Sequence, residues 1–158
     1  MKKVISLVLL LILILSMVGC GQTGTNIENN QEIKNIEKNK WGVGLEATNA
    51  TSSGLTIICH HEGGEEVAEL TTGSFYNIQK KNGSEWEEVD YLPHEHDIGW
   101  TMEAWIINKN DTTSWDIDWV WLYGELPAGE YRIGKVITNF RDTGDYDTEI
   151  AYAEFEIK

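Results

Sequence analysis

From Trp41 to the final residue, Lys158, apolar and polar residues alternate in short runs that Gly, Asn and Asp interrupt. That pattern constrains the fold more than any other feature of the chain. A strand turns successive side chains to opposite faces, whereas a helix returns to the same face every three to four residues. No stretch of ten or more residues after residue 40 carries the helical spacing. Glu149 to Ile157 is a clear case: Ala151, Ala153, Phe155 and Ile157 fall on one face, Tyr152, Glu154 and Glu156 on the other. Trp115 to Tyr123 is the most regular run, with Trp115, Ile117, Trp119, Trp121 and Tyr123 on one face. Asp116 and Asp118 begin its other face, which continues as Val120 and Leu122. This strand is expected to start half-exposed and to end buried on both sides.

Further strands are expected over Val43 to Ala47, Leu55 to His60, Ser74 to Lys80, Glu85 to Val89 and Glu130 to Ile137. In the last, Tyr131, Ile133 and Ile137 share a face. Lys81-Asn82-Gly83-Ser84 separates two of these runs, and Asn-Gly is a hairpin signal because both residues tolerate positive φ. About seven strands in the 118 residues from Trp41 to Lys158 predict an all-β, two-sheet antiparallel sandwich.

The first forty residues are of another kind. Lys2 and Lys3 precede Val4 to Val18, a run of 15 residues that is apolar except for Ser6 and Ser16. A helix that spans hydrocarbon needs about 20 residues, so this run suits the core of a signal peptide. Ser16-Met17-Val18-Gly19-Cys20 follows and resembles the bacterial lipobox, in which a small residue precedes a Cys that is diacylated before cleavage. It matches at Gly19 and Cys20 and departs at Met17, where Leu is usual. The resemblance implies a signal peptide over residues 1–19 and a lipid anchor on Cys20. Two acyl chains suffice for stable attachment where one does not. The partner of that anchor is the cell membrane, with the domain facing the extracytoplasmic side. Gly21 to Lys40 is polar, with only Ile27, Ile33 and Ile36 as large apolar residues, and reads as a flexible tether completing residues 20–40. Its typical reach is roughly 25 Å.

Without residues 1–19 the chain keeps ten basic against 26 acidic residues, a net charge of −16. Such a chain repels nucleic acid and anionic lipid, so no nucleic-acid partner is expected. With Cys20 acylated, Cys59 is the one cysteine left in residues 41–158. No disulfide is expected, and Cys59, in Leu55-Thr56-Ile57-Ile58-Cys59, reads as a buried small hydrophobe. Asn49-Ala50-Thr51, Asn82-Gly83-Ser84 and Asn110-Asp111-Thr112 match the N-glycosylation pattern. Beside a bacterial lipobox they are read as chance.

Leu126-Pro127-Ala128-Gly129-Glu130-Tyr131-Arg132-Ile133 joins two expected strands. A Pro-x-Gly turn, a Tyr, and an apolar residue two positions later resemble the tyrosine corner of immunoglobulin (Ig)-like sandwiches. Tyr131 would be the structural tyrosine, and Ile133 would stand where antibody domains have their second disulfide Cys. The longer stretch Leu122 to Lys135, with Gly54-Leu55-Thr56-Ile57, the Phe75 to Lys80 strand, Trp86 and Ala153-Glu154-Phe155-Glu156-Ile157, resembles a bacterial Ig-like domain family. That family occurs in small lipoproteins and in extracytoplasmic parts of sensor-type membrane metallopeptidases. The resemblance covers nearly all of residues 43–158. It implies an Ig-like fold and an extracytoplasmic location, and no catalytic residue to carry over.

The residues themselves offer little catalysis. No Ser sits in a Gly-x-Ser-x-Gly elbow. In Cys59-His60-His61, adjacent strand residues diverge, so only Cys59 and His61 could share a face, with no third group to orient them. No enzyme activity and no cofactor are expected. Two metal readings stay open. The four His form two pairs, His60/His61 and His94/His96, which together could build a zinc or copper site. Asp142, Asp145 and Asp147, in a Gly-containing loop, have oxygen ligands at a spacing that calcium could use. Trp100, Trp105, Trp115, Trp119 and Trp121 fall within 22 residues. Trp115, Trp119 and Trp121 are expected in the core, and Trp100 and Trp105 nearer the surface.

The expected function is a non-enzymatic, membrane-tethered Ig-like lipoprotein that binds a protein partner or ligand, with envelope sensing as one setting. A proteinase-inhibitor-like β domain is the alternative, offering the loop Tyr91 to Gly99 or Phe140 to Asp147. Metal binding through the His pairs is a third.

Overall fold

The computed structural model describes residues 36–158. The expected signal peptide, Cys20 and the tether as far as residue 35 lie outside the described residues. Those described form two antiparallel sheets facing each other across one apolar core. The smaller sheet has the order β1 (Val43–Thr48), β2 (Gly54–His61), β7 (Asp111–Asp118). The larger is built on β8 (Gly129–Asp142) and β9 (Asp145–Ile157), paired along their whole length from Gly129 opposite Ile157 to Asp142 opposite Asp145. Along its other edge β8 pairs first with β4 (Asn77–Asn82) and then with β3 (Glu69–Thr72). β5 (Glu85–Glu88) and the two-residue β6 (Trp105–Ile106) lie outside β4 and β3.

Alternation decides which face each strand buries. On β2, Leu55, Ile57, Cys59 and His61 point inward, and on β8 so do Tyr131, Ile133, Lys135, Ile137 and Asn139. The inward residues of β9 are Ala151, Ala153, Phe155 and Ile157. Each apolar side chain withdrawn this way stabilises the fold by roughly 1.5–3 kcal/mol before entropy is charged against it.

The nine strands exceed the seven expected because one edge of β8 is shared. β3 and β4 are two short strands, with Gly73 to Tyr76 leaving the ladder between them, opposite Lys135 and Val136. β3 was missed in the sequence, where four residues show too little periodicity to register. The β4–β5 turn also differs in detail. Asn82 pairs with Glu85, so the turn residues are Gly83 and Ser84, and of Asn82 and Gly83 only Gly83 has positive φ, at 65°. The Asn82 amide instead donates to the Glu87 carboxylate, 2.9 Å away.

β7 stops earlier than its alternation suggested. It ends at Asp118, and Val120–Tyr123 form one helical turn, α1. The Asp118 carboxylate accepts the Val120 N–H, the Trp119 N–H donates to the Ser53 carbonyl, and Gly124, at φ 73°, ends the turn. Helical rotation sends residues three and four positions on to the same side. Trp119, Leu122 and Tyr123 therefore enter the core, and Trp121 is turned out to 63% exposure. The expectation of a strand buried on both faces through Tyr123, with Trp121 in the core, is overturned.

The chain also joins the domain earlier than residue 41. Lys38 bridges Gly44, its ammonium pairs with Glu62 at 3.0 Å, and Lys40 pairs with Glu149 at 2.9 Å. A Cβ on Gly44 would meet the Ile36 side chain. Residues 36–40, read as the end of the tether, already lie on the sandwich.

Candidate functional site

Two ends of the sandwich are distinguished by what they carry. At one end are the incoming chain at Lys38–Trp41, the close of β2 at His61, the start of β7 at Asp111 and the β8–β9 hairpin tip. At the other are the β1–β2 turn, α1 and the start of β8. Gly54 and His61 are the two ends of the eight-residue β2, about 23 Å apart at strand spacing.

At the α1 end the corner around Tyr131 closes the fold. The Tyr131 hydroxyl donates to the Pro127 carbonyl four residues back, at 2.8 Å. Its ring stacks on Phe155, with centroids 5.6 Å apart, and Phe155 in turn meets Trp119. Ile133 is fully buried two residues on. The Trp119 indole donates to the Ser52 carbonyl at 2.8 Å, tying α1 to the β1–β2 turn.

Above this base lies an aromatic surface. The Leu92 N–H donates to the Leu122 carbonyl at 2.8 Å, which lays the chain after β5 across α1. Tyr91 packs on Tyr123 with centroids 5.0 Å apart, and His94 covers one face of Trp121 at 4.6 Å. Tyr91, Leu92, Val120 and Trp121 remain exposed. Tyr123 is itself buried, and its hydroxyl accepts the Ile78 N–H, so the surface rests on the core. Burial holds the Tyr123 and Tyr76 phenols well above the usual range.

Trp100 and Trp105, expected nearer the surface, are half-buried. Trp100 sits edge-on to Phe75 and Tyr76, and Trp105 stacks on Trp115 at 5.7 Å. Between those two indoles and the core is Lys135, only 1% exposed. Its ammonium donates to the carbonyls of Gly73 at 2.6 Å and Phe75 at 3.2 Å, and lies 5.2 Å and 5.8 Å from the Trp105 and Trp115 ring centres. Desolvation pulls its pKa down to about 8, with Cys59 acting weakly in the other direction. Lys135 serves the gap between β3 and β4, supplying donors to carbonyls that have left the ladder. The sequence did carry a signal for it, since Tyr131, Ile133 and Ile137 share a face whose missing member is residue 135. A cavity of about 150 Å³ opens beside it, lined by Tyr76, Trp105, Trp115, Asp116 and Asp118.

The candidate metal residues are dispersed. His60 is half-buried, its ring bonded to Glu46 at 3.3 Å and Thr112 at 3.4 Å. His61 points to the opposite face, into the core, beside the buried Cys59. Both line a cleft of about 270 Å³ with Glu62, Asn110, Asp111 and Thr112. His94 lies on Trp121 and His96 is exposed in the same segment, at the other end of β2. The two His pairs are thus roughly 20 Å apart. Among the described residues no group of three or more His, Cys, Asp or Glu could hold a metal ion.

The acidic loop is organised around a cation from its own chain. Arg141 donates to Asp145 at 2.8 Å through Nε and at 2.6 Å through Nη2, and to Asp147 at 2.8 Å through Nη1. It holds the Asp145 carboxyl below the usual range. Asp142 accepts the Thr143 N–H at the hairpin turn. The guanidinium takes the place a calcium ion would need between Asp145 and Asp147. Cys59 is a free, buried thiol pushed up to about 12 by desolvation, which makes it unreactive at neutral pH.

Among the described residues no helix is long and apolar enough to cross a membrane. No curated protein and no solved structure matches the chain. The profile of one family, described as a bacterial Ig-like domain, matches residues 37–156. That span takes in every strand but the final residue of β9, both sheets and the tyrosine corner, and the chain belongs to the bacterial Ig-like domain family.

Proposed function

We propose that this protein is a lipid-anchored, extracytoplasmic Ig-like module that binds a protein partner through the end of the sandwich opposite its tether. A domain of this family points to protein interaction or a structural role. The observation that carries the finer reading is Trp121, a large aromatic at 63% exposure beside Val120, Leu92 and Tyr91. Monomeric domains seldom leave such a group uncovered without use, and Trp is enriched at the energetic centres of interfaces. The arrangement of the two ends supports it further. The described chain enters the sandwich at the His61 end, which leaves the α1 end clear of the incoming segment. The reading involves no catalytic step.

Both loops suggested for a proteinase inhibitor are tied down over part of their length. Tyr91, Leu92 and His94 are packed on α1, and Phe140 to Asp147 is the tip of a paired hairpin with a two-residue turn.

The test is cross-linking of the full chain in its native envelope, with capture at low and at moderate salt and identification by mass spectrometry. One specific protein recovered at both salts is the expected result. Recovery at low salt only, spread over many cationic proteins, would reduce the binding to charge and remove the reading.

A further inference from the structure

We infer that the partner presents a basic segment to this surface, with one Lys or Arg lying over the free face of Trp121 and apolar neighbours on Leu92, Val120 and Tyr91. The inference rests on the binding-module reading and supplies the chemistry of its partner.

Three observations lead to it. The first is the geometry of the indole. His94 occupies one face of Trp121 at 4.6 Å and fixes the ring, and with 63% of the residue exposed the ring still presents surface to solvent. Trp is the strongest of the aromatic side chains in attracting a cation to its face.

The second is the charge around it. Asp118 lies two residues before Val120, Glu125 follows Gly124, against which Leu92 packs, and Glu95 adjoins His94, with Asp97 two residues further on. All four are exposed, and none forms an ion pair among the described residues. Across the 27 residues between Lys81 and Lys109 there are seven acids and no Lys or Arg. Much of the basic charge of the domain is spent elsewhere: Lys38 on Glu62, Lys40 on Glu149, Lys81 on Glu130, Arg141 on Asp145 and Asp147. Lys80, beside Gly129, and Lys158, next to Ile157 opposite Gly129, lie at the same end of the sandwich. The acids around Trp121 outnumber them, so the net field is negative and steers and orients a positive partner.

The third is rigidity. The surface is held by the Leu92–Leu122 backbone bond and by Tyr91 on the buried Tyr123. A preorganised platform does not have to be ordered when its partner arrives. The same field excludes other occupants. Anionic lipid and nucleic acid are repelled, and two copies of the chain would bring carboxylates against carboxylates.

The experiment uses the full chain in detergent and short fluorescent peptides, one alternating Arg and Leu, one alternating Glu and Leu, read by anisotropy across a salt series. The Arg/Leu peptide is expected to bind and the Glu/Leu peptide not to. Trp121→Ala should weaken the Arg/Leu peptide roughly tenfold, and Trp121→Phe should fall between it and the unsubstituted chain. Glu95→Gln with Asp97→Asn should flatten the salt dependence, whereas Glu62→Gln, at the far end, should leave it unchanged. Equal binding by Trp121→Ala and the unsubstituted chain, or no binding of the Arg/Leu peptide, would overturn the inference. Cross-linking in the envelope separates this failure from that of the underlying reading. A specific partner captured equally with Trp121→Ala would leave the binding module standing and remove this surface. Capture of none by either chain would remove both.

Discussion

Lys135 shows how a single charged side chain can be kept in an Ig-like core. Its neighbours are two carbonyls, two indoles and a thiol, with no carboxylate among its hydrogen-bond partners. Burial lowers its pKa from 10.5 to about 8, a change worth about 3 kcal/mol. Because the folded value lies below the unfolded one, the unfolded chain binds more protons between pH 8 and 10.5. Stability from this group therefore rises with pH across that window and is fully present above it. Cys59, Tyr76 and Tyr123 are shifted upward and act in the opposite direction at high pH. The comparison must accordingly be with Lys135→Met, in which those groups remain. Urea unfolding at intervals from pH 7 to 10.5 should show the unsubstituted chain gaining on the variant by up to about 3 kcal/mol. A constant difference across the window would show that Lys135 is not desolvated as its surroundings imply. Strand alternation places residue 135 inward, yet which carbonyls would meet its ammonium depends on where β3 and β4 part.

Among the elements, the β8–β9 hairpin carries its own electrostatic closure. A register shift between Phe140 and Asp142 inserts Arg141 as an extra residue, and from there its guanidinium reaches Asp145 and Asp147 across the turn. Exposed pairs of this kind add little stability, but they decide what the carboxylates can bind. Millimolar calcium should leave the melting temperature of the unsubstituted chain unchanged, since only a ligand of the native state raises it. A rise in that temperature would return the acidic loop to the candidate metal sites. The loop's composition was readable in the sequence and its cation was not, because pairing at positions 141, 145 and 147 depends on a bulge that composition does not encode. α1 makes the same point more sharply. Alternation was sound up to Trp119, and then one helical turn put Val120 and Trp121 out to solvent while Leu122 and Tyr123 stayed buried. The bonds that set that turn come from Ser52 and Ser53, more than 60 residues earlier.

Over the whole molecule, the described residues hold nine basic and 24 acidic side chains, a net charge of −15. A domain so charged is pushed away from an anionic membrane, so a covalent anchor would have to retain it. Cys20→Ser should abolish incorporation of a labelled fatty acid and release the protein from the membrane fraction. Continued labelling would disprove acylation at Cys20. What the order of residues determined by itself was the all-β sandwich and the place of Tyr131 in the turn before β8. Both follow from strand alternation and turn chemistry, which act between near neighbours along the chain. Tertiary structure alone decided that Trp121 faces solvent, that Lys135 finds two carbonyls, that Arg141 spans the acidic loop, and that the two His pairs stand at opposite ends. Each of these depends on which distant backbone groups are brought together. A local pattern records the face on which a side chain lies, but not the partner that waits there.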